Sequence, residues 1–166
     1  MVGSLYANFK LNLQTMKSFK LWAIIALVAL TSPIANAQWG GKKVKGNGNI
    51  TTKQISTSSY DEINVIGSMN VQLVDGQEGN ITVTTDENLH EYLEIEVNGN
   101  TLEVKSKKNY NLYTRKGINV TVPIKDISGI SVVGSGDVVS KTTVMASNLL
   151  LKLTGSGDVN LNINTE

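Results

Sequence analysis

Residues equipped for chemistry are few in this 166-residue chain, and they gather in two places. The first is a pair of corners, Gly134-Ser-Gly136-Asp137 and Gly155-Ser-Gly157-Asp158, with Gly67-Ser-Met-Asn70 as a third version. Asp137, Asp158 and Asn70 carry the oxygen ligands that a hard cation such as Ca²⁺ takes. Against a Ca²⁺ site stands a simpler reading, in which each aspartate closes its own turn by accepting backbone N–H groups. The spacing favours the turn: Gly- and Asp-rich calcium repeats recur every nine residues, whereas Asp137 and Asp158 are 21 apart. No other cofactor is expected. The second place is the run from Lys105 to Lys116, where Lys107, Lys108, Tyr110, Tyr113 and Arg115 are the candidate ligand contacts. Tyrosine rings stack on sugar rings, and basic groups pair with acidic ones. The plainer reading is a loop of solvated lysines whose stems lie along the surface.

Catalysis has no constellation to rest on. His90, the sole histidine, reads as exposed loop. Glu94, Glu96 and Glu103 alternate with apolar residues and read as a solvated face. No Gly-x-Ser-x-Gly or comparable nucleophile–base signature is present, so an enzyme is not expected. The absence of cysteine excludes disulfide scaffolds, Cys-based zinc sites and lipidated-Cys anchors.

These residues belong to a chain of two unlike parts. Met16-Lys-Ser-Phe-Lys20, the apolar run Leu21 to Leu30 and the small-x-small ending Ala35-Asn-Ala37 are the three parts of a secretory signal peptide. The apolar run is too short for a membrane-spanning helix, which needs about 20 residues. A helical signal peptide over 16–37, cleaved after Ala37, is therefore predicted, with 1–15 a mis-assigned upstream start and 38–45 a linker. The protein is expected to be exported to the periplasm, the outer surface or the medium, with no membrane span after cleavage. The remaining 129 residues hold 12 basic and 14 acidic side chains, which argues against nucleic acid as a partner.

Apolar and polar residues alternate in Leu93-Glu-Ile95-Glu-Val97, Leu102-Glu-Val104, Ile118-Asn-Val120-Thr-Val122 and several similar runs, the signature of half-buried strands. Asn98-Gly99 reads as a hairpin-type turn. The mature chain is all-β. Ile63 to Val71, Ile130 to Val138 and Leu151 to Val159 align without gaps, and Gly46-Asn-Gly-Asn49 reads as a degraded further copy 21 residues before Gly67. A period of about 20 residues in a strand-rich chain predicts a solenoid. Gly67, Gly134, Gly136, Gly155 and Gly157 would supply its corners, and Val65, Val132 and Leu153 would point inward.

The signal peptide, Gly46-Asn-Gly-Asn49, Tyr60-Asp-Glu-Ile63-Asn-Val65 and the Gly-Ser-Gly-Asp-Val corners resemble the auto-transporter adhesin head GIN domain, a family of Bacteroidetes-type envelope proteins. The resemblance spans about 44–163. It implies a right-handed parallel β-helix over 46–166, with coils of about 21 residues, at the envelope or surface. It brings an adhesin role and no catalytic residues. Such domains continue with further corners, so a chain shortened at its C-terminus is expected, with the exposed end of the β-helix pairing two copies into a homo-oligomer. The reading is a non-catalytic adhesin-like module binding glycan or a surface protein. The alternatives are an envelope assembly element pairing through β edges and, third, a polysaccharide-acting enzyme.

Overall fold

The computed structural model describes residues 41–164; the upstream start, the signal peptide and residues 38–40 of the expected linker lie outside the described residues. Thirteen strands form in chain order: β1 Lys42–Lys45, β2 Ile50–Ser56, β3 Glu62–Gly67, β4 Met69–Asp75, β5 Asn80–Asp86, β6 Leu93–Asn98, β7 Thr101–Ser106, β8 Tyr110–Tyr113, β9 Ile118–Ile124, β10 Gly129–Gly134, β11 Val138–Met145, β12 Leu150–Gly155 and β13 Val159–Asn164. One 3-10 helix, Glu87–Tyr92, joins β5 to β6. Valine, isoleucine and threonine dominate these segments, and their branched side chains suit a pleated surface better than a helix. Among the described residues no helix is long and apolar enough to cross a membrane, which leaves crossing by strands untouched.

The strands make a five-stranded sheet in the order β12-β10-β3-β7-β6, a six-stranded sheet in the order β13-β11-β4-β9-β5-β2, and a separate two-stranded sheet, β1-β8. The inward faces of the two large sheets share one apolar core. Its columns follow strand register: Leu102, Ile63 and Ile130 in one row, Val104, Val65 and Val132 in the next. All six are buried. Tyr60 is buried with them, and its hydroxyl donates to the Pro123 carbonyl oxygen.

The expected right-handed parallel β-helix does not form. The sheets are open and mixed: β2 runs antiparallel to β5, β5 to β9, and β6 to β7. The physical reason sits in the turns. Gly99 and Asn100 link β6 to β7 as a two-residue hairpin, with Gly99 at φ 62°. A hairpin reverses the chain within one sheet, so it cannot also be the corner of a coil. Nor is Gly46-Asn-Gly-Asn49 a further copy of the corner. It turns the chain from β1 into β2, which pairs antiparallel with β5 rather than stacking in parallel on β4. Leu153, aligned with Val65 and Val132, is half exposed, because β12 is the outer strand of its sheet among the described residues.

What the spacing does report is local. Gly67, Gly134 and Gly155 fall side by side on three parallel strands with φ of 121°, 133° and 131°. Gly136 and Gly157 have no positive φ; they are glycines for want of room. A Cβ on Gly136 would run into the Met69 carbonyl oxygen, and one on Gly157 into that of Gly136.

Candidate functional site

At the Gly-Ser corners, the aspartates do not close their own turns. Asp158 N–H donates to Asp137 Oδ1 at 3.0 Å, and Asp137 N–H to Asn70 Oδ1 at 3.5 Å. Asn70 Nδ2 in turn donates to Asn119 Oδ1 at 3.5 Å. The Asn70 and Asp137 side chains thus each tie one strand to the next. Among the described residues, no three His, Asp or Glu side chains converge on a space that would hold a metal ion.

The second set of candidates is divided by the fold. β8 pairs in parallel with β1, in the register Lys42 to Tyr110, Lys43 to Asn111, Val44 to Leu112 and Lys45 to Tyr113. Side chains alternate along a strand and share a face across a register pair. Val44 and Leu112 turn inward and are half-buried, while Lys43, Lys45, Asn111 and Tyr113 turn out. Residues 42–45, read from sequence as linker, are therefore half of this sheet. Tyr110 packs on Tyr92, ring centroids 4.7 Å apart. Tyr113 is 51% exposed, with Lys43 Nζ 5.8 Å from its ring centroid. Lys107 and Lys108 are exposed on the turn before β8, and Arg115 is exposed just beyond its end. Lys105, which begins the run, is engaged elsewhere: its ammonium is held by Glu103, with Glu94 at 3.0 Å and Glu96 at 3.5 Å.

Beside this face lies a groove of about 790 Å³, within the range of ordinary ligand sites. Lys43, Lys45, Arg115 and Lys116 line it, with Ile50 and Tyr113 as its exposed apolar wall. At its base Asp86 is buried. Asp86 Oδ2 accepts the Thr114 hydroxyl and Oδ1 the Gly48 N–H, both at 2.6 Å. These bonds, Thr114 first, hold the carboxyl below the usual aspartate range. Gly46 lies so close that a Cβ there would collide with the carboxylate. Asn88 Oδ1 accepts Asn47 N–H at 2.9 Å, and Gly46 N–H donates to the Tyr113 carbonyl at 2.8 Å. The Gly46-Asn-Gly-Asn49 turn is thus the strap that fixes β1 and β8 around one carboxylate.

His90 is no exposed loop residue. It sits part-buried on the 3-10 helix with Nε2 3.1 Å from Thr51 Oγ1 and 3.3 Å from the Thr51 carbonyl, and burial lowers its pKa. Of the groove, sequence reasoning found Tyr113 and Arg115 and missed Ile50, Asp86, Lys116 and the β1 pair Lys43 and Lys45. The two lysines carried the only available signal, a basic cluster ahead of a Gly-Asn turn.

The architecture defines an all-β module of parallel ladders edged by antiparallel strands. Residues 59–166 match the family described as "Putative auto-transporter adhesin, head GIN domain", and the chain belongs to that family. Among solved structures it is similar to a putative lipid binding protein from Parabacteroides distasonis, at 30% identity and TM-score 0.67 over 74% of this chain and 53% of that one. It shares its fold with a putative adhesin from Bacteroides fragilis, at 19% identity and TM-score 0.65 over 71% and 55% of the two chains. The same holds for a putative adhesin from Parabacteroides merdae, at 23% identity and TM-score 0.61 over 75% and 61%. The chain spans a little over half the length of these structures. Among curated proteins none matches it.

Proposed function

We propose that this chain is an exported, non-catalytic adhesin-like module that binds glycan or matrix through the outer face of β1-β8. Family membership supports the adhesin role, and the leader sequence supports export to the surface or periplasm. One observation carries the choice of face: Tyr113 stands half exposed on a short sheet, with one neighbouring strand supplying lysines and the following loop an arginine. A rigidly mounted aromatic beside hydrogen-bonding cations suits the apolar face and the hydroxyl or acidic groups of a sugar. Lipid is the second reading, favoured by the description of the Parabacteroides distasonis neighbour.

Screening the purified chain on a glycan array and on matrix proteins tests this. Binding to at least one of them is expected, and Tyr113→Ala should weaken it about tenfold with the melting temperature unchanged, as for loss of one stacking contact. A silent array and matrix panel would refute the reading.

A further inference from the structure

Charge on this molecule is segregated. The 129 residues after the leader carry two more acids than bases, yet four cations line a single groove. The groove's one acid, Asp86, has both oxygens engaged by Thr114 and Gly48. Nearby Glu87 accepts Asn49 Nδ2 at 2.8 Å, and the glutamates of the β6-β7 hairpin face Lys105. Lys43, Lys45, Arg115 and Lys116 are all exposed, and no ion pair engages them among the described residues. Four like charges repel, and an anion lowers that repulsion while gaining charge-assisted hydrogen bonds. Lys43 and Lys45 also lie ahead of the residues matched by the family, so half of the cationic set comes from outside the matched region.

From this arrangement we propose that the groove takes an acidic polysaccharide, its carboxylate or sulfate groups on Lys43, Lys45, Arg115 and Lys116 and a sugar ring against Tyr113; the proposal rests on the adhesin-like reading above and names its ligand class. Arg115 offers a planar fork that fits a carboxylate, and the lysines offer mobile point charges that tolerate varied spacing along a polymer. The apolar wall selects between polymer and membrane. Ile50 and Tyr113 are the exposed large apolar side chains of the groove, one ring and one aliphatic group. That suffices to stack a sugar, whereas holding a bilayer surface takes a broad apolar face. Among the described residues, the exposed leucines Leu150, Leu151 and Leu153 belong to β12 in another sheet.

The test measures binding of the full chain to polygalacturonate, dextran sulfate, neutral dextran and phosphatidylglycerol vesicles, at low and high salt. Binding to at least one acidic polymer and not to neutral dextran is expected, weakening as salt rises. The double variants Lys43→Gln/Lys45→Gln and Arg115→Gln/Lys116→Gln should each lose about tenfold or more in affinity, roughly two surface charge pairs. Lys152→Gln, on β12, should match the wild type, and all should melt alike. Equal binding of acidic and neutral polymers, unmoved by the double variants, overturns this inference and leaves the adhesin-like reading standing. Binding to vesicles alone overturns the inference and replaces glycan with lipid. Binding to none of the four also overturns the inference, while the glycan and matrix panel above decides the broader reading on its own.

Discussion

Asp86 shows how one buried side chain can organise a site through the backbone and hydroxyl groups it binds. Its oxygens join the strap after β1 to the loop after β8, and Gly46 is a glycine because the carboxylate occupies the space a side chain would need. Its pKa is lowered in the folded state, so the unfolded chain binds its proton more readily. The stability it contributes is full above the unfolded aspartate value of about 3.9 and is lost as pH falls through the lower folded value. Acid unfolding followed by circular dichroism should show this: Asp86→Asn is expected to be less stable at neutral pH and flatter than the wild type below about pH 4. Unchanged acid sensitivity would show that Asp86 is not the coupled group. Tyr110 and Tyr113 should separate in the same spirit. Tyr110→Ala removes the ring packed on Tyr92 and should lower the melting temperature, whereas Tyr113→Ala should not. From sequence the two tyrosines look equivalent, because strand alternation within so short a run is only resolved by its pairing partner.

At the level of elements, the glycines fall into two classes that sequence alone merges. Gly99 has φ 62° with open space around it, so its requirement is conformational. Gly136 has no positive φ but is pressed against the Met69 backbone, so its requirement is steric. Asparagine reaches the left-handed region and cannot shrink its Cβ. Gly99→Asn should therefore leave the melting temperature nearly unchanged, and Gly136→Asn should destabilise by about 1–3 kcal/mol or more, as overpacking does. Chemical denaturation of both variants checks the contrast; equal effects would contradict it. The same distinction explains why the fold departs from the expected solenoid. The 21-residue spacing holds between the corners on β10 and β12, where it marks neighbouring strands rather than the coils of a solenoid. The Gly99 hairpin, visible in the same sequence, was incompatible with continuous coils and is the feature that governs that part of the sheet.

For the molecule as a whole, stability comes from stacked β-branched columns, without cysteine. Leu102 is fully buried between the two large sheets, and Leu102→Ala should cost about 2–5 kcal/mol. Leu153 is 50% exposed although it occupies an equivalent alternating position, so Leu153→Ala should cost well under half as much by denaturant titration. All-β character and most strands were legible, because alternation is a local signal. The order of strands within the sheets was not, since β9 lies between β4 and β5 through pairings no local pattern encodes. For the same reason the sequence displayed the basic cluster after β7 and concealed its complement in β1.

The pairing of Lys45 with Tyr113 has a kinetic meaning as well. Two strands that distant in sequence meet only after the intervening chain has closed a large loop, which is entropically slow. A partly folded chain therefore carries every lysine of the groove and no groove. Competence to bind would arrive only once β1 and β8 have paired across the chain between them.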